Sequence, residues 1–301
     1  MSTYRGRFAP SPTGPLHFGS IVAAVASYLE ARARGGEWLV RIEDLDPPRV
    51  VPGSADEILR MLDACGMEWT GEIVYQSTRS DAYHAALHEL RQHGKLYACA
   101  CSRREIADSG LMGIEGYVYP GTCRAGLPAG RAARAWRVDT RDGVVAFDDA
   151  IQGRIEQNLA REIGDFVLYR ADHVHAYQLA VAIDDAEQGI TDIVRGADLL
   201  ESTPRQIYLQ RLLALPTPRY AHVPVAVNEH GEKLSKQTHA RAIGTRDVSS
   251  AIVRALRFLG HDAPESLESA RVQDIWTWTD ENWRLASVPR VRFRAAEEMA
   301  D

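Results

Sequence analysis

The chain reads as an α/β fold built on a parallel sheet, and three observations lead there. Strand-like and helix-like stretches alternate through the first half, a pattern that implies parallel strands joined by right-handed crossovers. The first strand is followed by Pro10-Ser11-Pro12-Thr13-Gly14-Pro15, which cannot be helical and must be a loop feeding the next helix. The alternation resumes in the second half, after a Gly-, Pro- and Arg-rich interruption from Ala98 to about Gly130 that holds three of the four cysteines.

In chain order, Tyr4–Ala9 reads as the opening strand. Phe18 to Arg34 is Ala-rich with apolar residues at helical spacing, and Gly35-Gly36 supplies its stop. Glu37–Ile42 is a second strand. Ser54-Ala-Asp-Glu57 has the form of a capping box, opening a helix that runs to about Cys65. A further helix covers about Ser80–His93 and ends at Gly94. Beyond the interruption, strands are expected near Phe166–Tyr169 and Ile190–Val194, and helices near Tyr177–Ala186 and Pro204–Leu215. Val223–Val227 reads as one more strand, followed by a polar loop from Asn228 to Gln237. From about Asp247 the chain reads as helical, ending in a short acidic tail. The expected division is a core in two halves, 1–97 and 136–245, an insertion at 98–135, and a short helical C-terminal region at 246–301.

Composition narrows the class without naming a function. The chain has 301 residues, 45% hydrophobic and 25% charged, like an ordinary globular protein. No apolar run approaches the roughly 20 residues that span a membrane, and the N-terminus MSTYRGRFAPSP has no signal core. A cytoplasmic protein with no membrane partner is expected, acting as a monomer. Four cysteines do not make a disulfide scaffold, and Cys99-Ala-Cys101 looks like a metal-binding fragment in a reducing compartment. A net charge of −6 argues against nonspecific polyanion binding but leaves room for a local basic surface.

Two stretches suggest phosphate chemistry. Pro15-Leu16-His17-Phe18-Gly19-Ser20 sits where a loop enters a helix; a helix N-terminus offers free N–H groups and partial positive charge to a phosphate. Gly19 admits close backbone approach, and His17 can donate to a phosphate oxygen. Read singly, such a histidine is a helix cap. Lys233-Leu234-Ser235-Lys236-Gln237 places two lysines on a polar loop after a late strand, where they can close over a polyphosphate. Read singly, it is a solvated basic turn.

Together the two stretches identify a family. His17-Phe18-Gly19-Ser20 resembles the HIGH signature of class I aminoacyl-tRNA synthetases, and Lys233–Gln237 resembles their KMSKS loop. The surrounding segments are similar to glutamyl-tRNA synthetases: Arg7-Phe8-Ala9-Pro10-Ser11-Pro12-Thr13-Gly14, Arg41-Ile42-Glu43-Asp44-Leu45-Asp46, Tyr169-Arg170-Ala171-Asp172, Tyr177-Gln178-Leu179-Ala180 and Val194-Arg195-Gly196-Ala197-Asp198. The resemblance runs from about Tyr4 to Arg241. Phe18 replaces the signature Ile and Gln237 the final Ser, both peripheral to the His, Gly and Lys groups.

The resemblance implies the Rossmann-type parallel sheet of class I synthetases, with a zinc-containing insertion and a short helical C-terminal part. It implies ATP-dependent activation of L-glutamate, with Mg2+ on the nucleotide. His17, Lys233 and Lys236 would be catalytic, and His17, Gly19, Ser20 and Lys236 would bind ATP. Arg7, Phe8, Ala9, Pro10, Ser11, Glu43, Tyr177 and Arg195 would bind glutamate, the guanidinium forks matching carboxylates bidentately and Glu43 pairing the ammonium. Cys99, Cys101 and Cys123 give three thiolates, one short of a structural zinc site. No histidine lies between Cys101 and Cys123; the resemblance implies Tyr119 as fourth ligand, with Tyr117 and Glu115 as alternatives. Cys65, in a separate helix, is expected in the core. After the lysine loop only about sixty residues remain, too few for the anticodon-gripping domains of a full synthetase. That matches truncated paralogues that attach glutamate to the queuosine base of aspartate tRNA, with Arg103, Arg104 and Arg124 as candidate RNA contacts. The alternatives are a minimal synthetase charging the tRNA 3′ end and a catalytically silent regulator.

Overall fold

The computed structural model describes residues 3–108, 110–234, 244 and 247–296. Strand β1 (Arg5–Phe8) leads through the proline-rich loop into helix α1 (Phe18–Ala33). The helix ends as expected: Gly35 takes φ +58, and at Gly36 a Cβ would stand 2.3 Å from the Tyr4 carbonyl oxygen, so no larger residue fits. Strand β2 (Glu37–Ile42) then pairs parallel to β1, with Arg5 opposite Glu37 and Arg7 opposite Leu39. Helix α2 (Ser54–Ala64), strand β3 (Val74–Tyr75), parallel to β2, and helix α3 (Ser80–Gln92) complete the first half.

The expected capping box at Ser54 does not form. The left-handed Gly53 caps α2 instead, and no side chain bonds the first turn. The Ser54 hydroxyl turns back to the proline-rich loop, accepting from Gly14 N–H and donating to the Gly14 carbonyl, both at 2.8 Å. This fastens the loop that carries residues 9–14.

The middle of the chain, where the sequence suggests an interruption and then a strand near Phe166–Tyr169, is antiparallel. Strand β4 (Leu96–Cys99) is followed by α4 (Arg103–Ala107) and a small hairpin, β5 (Met112–Gly113) and β6 (Gly116–Tyr117). Strands β7 (Ala135–Val138), β8 (Val144–Asp149) and β9 (Gly153–Asn158), helix α5 (Leu159–Glu162) and β10 (Val167–Tyr169) come next. β10, β7 and β4 form an antiparallel three-stranded sheet, and β8 and β9 an antiparallel hairpin turned at Gly153 (φ +81). Burial alternates along β8, as on a strand with one covered face, although its sequence Val-Val-Ala-Phe-Asp-Asp does not alternate.

The parallel pattern returns with α6 (Tyr177–Glu187), β11 (Asp192–Gly196), α7 (Thr203–Leu212) and β12 (Arg219–Val223). β11 pairs parallel to β12, and β12 to β8 at Tyr220 opposite Asp149. Thr191 N–H donates to the Arg5 carbonyl at 2.9 Å, which brings β11 beside β1. The single strand expected over Val223–Val227 is two, because Pro224 lacks the N–H a continuing ladder needs. β13 (Val225–Val227) turns away to pair with β14 (Phe293–Ala295), a strand closing a C-terminal part otherwise built from α8 (Val248–Phe258) and α9 (Val272–Asn282). Among the described residues no helix is long and apolar enough to cross a membrane.

Among the described residues two large apolar cores result, beside a small cluster of Cys99, Tyr119 and Cys123 in the insertion. One surrounds α1, with β1, β2, α2, α8 and α9; it includes Cys65, as expected. The other joins α3, α6, α7, β8 and β10. Trp276 of α9 keys the first: it is 1% exposed, meets Tyr28 edge-on at 5.2 Å and donates its indole N–H to the Cys65 carbonyl at 3.0 Å. Trp276→Ala is expected to destabilise the protein by about 3–5 kcal/mol, read as a lowered urea midpoint; a shift under about 1 kcal/mol would mean the C-terminal helices are not integral to this core.

Candidate active site

A cavity of about 640 Å³ opens at the carboxyl ends of β1, β2 and β11, the end of a parallel sheet where ligands bind in open α/β folds. Arg7 and Phe8 reach it from β1, and Ala9, Pro10 and Ser11 from the following loop. Glu43, one residue past β2, Tyr177 at the start of α6 and Arg195 on β11 form a second wall. His17, Gly19 and Ser20 come from the start of α1, with Lys233 and Asp198 beside them. Every residue expected from the sequence to touch glutamate or ATP lies here except Lys236, which with Ser235 and Gln237 is outside the described residues.

His17 is a helix cap as well as a cavity residue. Its Nδ1 accepts from Ser20 N–H at 3.3 Å. No acidic side chain occupies the first turn of α1, so its partial positive charge stays uncompensated. A Cβ at Gly19 would meet the His17 ring at 3.3 Å and the Leu234 carbonyl oxygen at 3.6 Å. The chain after β13 therefore passes over the start of α1, and Lys233 pairs with Asp198.

The second wall carries buried charge. Arg7 is clasped by Asp185 through Nε (3.0 Å) and Nη2 (3.4 Å), so this edge of its fork does not face the cavity as the sequence suggests. Arg41, fully buried, reaches the same carboxylate at 2.7 Å and Glu43 at 3.6 Å. Burial disfavours ionised Asp185, yet Arg41 and Arg7 outweigh it and hold the carboxyl down to about 2. Glu43 goes the other way: burial pushes it up to about 7 despite Arg41 and Arg7, and its Oε1 has no hydrogen-bond partner. Burial also lifts Tyr177 to about 12, leaving a neutral phenol that can donate.

Arg195 is anchored on one side only. Its Nε–H donates to His222 Nε2 (3.1 Å), and Nη2 donates to Thr203 Oγ1 and Gln206 Oε1 (both 2.8 Å). Nη1 is buried without a hydrogen-bond partner. The cavity thus offers an unsatisfied carboxylate oxygen and an unsatisfied guanidinium nitrogen, a pair complementary to an ammonium and a carboxylate. Sequence reasoning missed Asp185, His222, Thr203 and Gln206. Asp185 lies about two turns after Tyr177 on α6 with no motif to mark it; His222 becomes visible only through the register that sets it opposite Arg195.

In the insertion, the Cys99, Cys101 and Cys123 sulfurs lie within 4.8 Å of one another. Cys101 and Cys123 Sγ are 3.7 Å apart, and the Tyr119 hydroxyl is 3.4 Å from Cys99 Sγ and 3.7 Å from Cys101 Sγ. Tetrahedral zinc with bonds of about 2.3 Å spaces its thiolates about 3.8 Å apart, so this donor set fits. The alternatives lie elsewhere: Tyr117 is half exposed on the β5–β6 hairpin, and Glu115 pairs with Arg205 at 2.5 Å. Arg137 donates to Cys99 Sγ at 3.3 Å and sits 4.2 Å over the Tyr119 ring, a cation beside the thiols. Arg103 and Arg104 are exposed, whereas Arg124 is held by Asp165 (2.5 and 2.9 Å) and is not a free RNA contact.

Comparison with known proteins places these features. Residues 3–111 and 131–291 match the family model for the catalytic domain of class I tRNA synthetases (E and Q). The chain is 61% identical over 291 residues to a glutamyl-Q tRNA(Asp) synthetase of Dechloromonas aromatica, covering 96% of this chain and 97% of that protein. It is 58% identical to one from Chromobacterium violaceum, covering 95% of each. Its fold is similar to that of a glutamate tRNA ligase from Elizabethkingia meningosepticum solved with its amino acid (TM-score 0.79, 24% identity, 98% of this chain and 67% of that one).

Because burial raises Glu43, its carboxyl is expected to titrate near 7 in the ligand-free protein. An ammonium-bearing ligand binds the ionised form, so its affinity should fall as pH drops below 7. Carbon-13 NMR of labelled glutamates, assigned with Glu43→Gln, reads the midpoint; titration near the ordinary 4.5 would refute a carboxylate governed by burial.

Proposed function

Since the chain belongs to the class I tRNA synthetases of the glutamate and glutamine branch, and within them to the glutamyl-Q tRNA(Asp) synthetases, we propose that it activates L-glutamate with ATP and transfers it to the queuosine base of aspartate tRNA. The observation that carries the amino-acid half is the cavity wall in which neither Glu43 Oε1 nor Arg195 Nη1 has a hydrogen bond. An amino-acid ammonium satisfies the first and a carboxylate the second. Arg7, fixed by Asp185, adds positive charge to the same wall.

In this reading the glutamate α-carboxylate, ionised at neutral pH, attacks the α-phosphorus of ATP and pyrophosphate departs; no general base is required. Catalysis is then positioning and charge stabilisation. Glu43 holds the ammonium, Arg195 a carboxylate, and Tyr177 donates to a carboxylate oxygen. Phe8, Ala9, Pro10 and Ser11 line the amino acid, and Ser54 keeps their loop in place through Gly14. His17, Gly19, Ser20 and the start of α1 receive the phosphates. Lys233, released from Asp198, and Lys236 stabilise the leaving pyrophosphate. Mg2+ would accompany the nucleotide and neutralise charge on its phosphates. A queuosine hydroxyl then attacks the activated carbonyl carbon, and AMP leaves.

For the insertion, the reading is one structural zinc held by Cys99, Cys101, Cys123 and Tyr119. The ion would cross-link β4 to the segment around Cys123; it has no part in the chemistry.

Pyrophosphate exchange is expected with glutamate, and not with glutamine or aspartate, in the absence of tRNA. Lys236→Ala should slow it by about 10²-fold or more; an unchanged rate would leave that loop a solvated turn. Labelled glutamate should transfer to tRNA from queuosine-containing cells and fail to transfer to queuosine-free tRNA. Equal labelling of both would favour charging of the 3′ end. Metal analysis should give one zinc per chain, lost in Cys101→Ser with loosening of the insertion and unaltered glutamate affinity; a metal-free, fully ordered wild type would overturn the zinc assignment.

A further inference from the structure

Behind the cavity wall, Asp149, His222 and Arg195 form a chain that nothing in the glutamate-activation chemistry calls for. Asp149, at the end of β8, is 4% exposed. Its Oδ1 accepts from the backbone N–H groups of Ile151, Gln152 and His222 (3.0, 2.8 and 3.1 Å), and its Oδ2 lies 2.6 Å from His222 Nδ1. His222, on β12, is fully buried, and its Nε2 lies 3.1 Å from Arg195 Nε. The Thr203 hydroxyl, also 3.1 Å from Nε2, can donate or accept, but arginine Nε carries only a donor and the Asp149 carboxylate only acceptors, so Nε2 accepts and the imidazole proton is on Nδ1, donating to Asp149. Burial and the adjacent Arg195 keep this imidazole uncharged, pushing it down to about 4 despite Asp149.

We propose that Asp149 and His222 are positioning residues for the amino-acid site: Asp149 fixes the Nδ1–H tautomer of His222, whose Nε2 then fixes the Arg195 guanidinium with Nη1 turned to the substrate carboxylate. The chain rests on the glutamate-activating reading for its substrate, though the tautomer itself does not. The geometry requires both members. With Nε on His222 and Nη2 on Thr203 and Gln206, three guanidinium donors are anchored and the two on Nη1 remain for a ligand. Without the acceptor at Nε2, the guanidinium can rotate about its Nε bond and lose that aim. A protein that needed only a buried polar filler at 222 would place no demand on which nitrogen holds the proton.

Asp149→Asn isolates the tautomer. An asparagine keeps an oxygen for the three backbone donors, but its amide N–H₂ now faces His222 Nδ1, forcing the ring proton to Nε2 and setting donor against donor at Arg195. The expected result in glutamate-dependent pyrophosphate exchange is a KM for glutamate raised about ten- to a hundredfold, with the KM for ATP and the melting temperature near wild type. His222→Gln, which offers Oε1 to Arg195, should stay within a few-fold of wild type, whereas His222→Ala should resemble Asp149→Asn. Nitrogen-15 NMR of the histidines, assigned with His222→Gln, should show Nδ1 protonated in the wild type and Nε2 protonated in Asp149→Asn. Protonated Nε2 in the wild type, or an Asp149→Asn variant with an unchanged glutamate KM, overturns the proposal. A wild type with the Nδ1–H tautomer but no glutamate-dependent exchange overturns the glutamate reading instead, and a spectrum unchanged between wild type and Asp149→Asn rules out the tautomer control.

Discussion

The structure turns on the need to bury Asp185. This carboxylate sits 1% exposed on α6, and it is tolerable there only because Arg7 from β1 and Arg41 from β2 converge on it. A lone buried charge is costly, and breaking such a pair costs about 3–5 kcal/mol. The carboxylate therefore binds three elements of different sequence origin into one register. The neighbouring Asp184 extends the tie, taking hydrogen bonds from Arg79, Gln76 and Tyr83 at 2.5, 2.7 and 2.8 Å. Where β1, β2 and α6 meet, the cavity wall is already charged and already cross-linked by ion pairs. Glu43 and Tyr177 inherit their positions from it, one just beyond β2 and the other at the start of α6.

Much of this was legible. β1, β2 and helices α1, α2, α3 and α6 fall where period and turn residues put them, because each is a local pattern with a local stop. The misreadings share a cause. Ser54 has the right neighbours for a cap, but the loop across from it offered its hydroxyl a better pair of partners in Gly14. Val223–Val227 looks continuous by hydrophobicity, yet Pro224 ends one ladder and a distant strand, Phe293–Ala295, begins another. The antiparallel β4–β7–β10 sheet depends on pairings between segments that no short window contains, whereas the β8–β9 hairpin is local.

The same division holds at the site. Residues that line the cavity stand in compact motifs, and all of those that the structure describes come to one place. The residues that hold them do not: Asp185, His222, Thr203 and Gln206 are scattered through α6, β12 and α7 in segments with no motif of their own. Arg124 shows the converse. In sequence it is an arginine near cysteines, and in space Asp165 occupies it, so a basic residue counted toward an RNA surface is a structural ion pair.

Charge balance links the wall to the proposed substrate. Around Glu43 stand Arg41, Arg7 and Arg195 as cations and Asp185 as the other anion. With Glu43 ionised, these five groups carry one net positive charge, because the sixth buried charge, Asp184, 3.9 Å from Arg41 Nε, is balanced by Arg79 at 2.5 Å. Glutamate, with two carboxylates and one ammonium, brings one net negative charge and closes the balance. Glutamine has nearly the same shape but no net charge, so it fills the space and leaves a guanidinium unpaired, a loss of about 1–3 kcal/mol or more. Selectivity then needs no steric gate against the amide. It follows from a wall that is incomplete by one anion, and the partner that fixes the count is Asp185, which never meets the substrate because Arg7 and Arg41 enclose it.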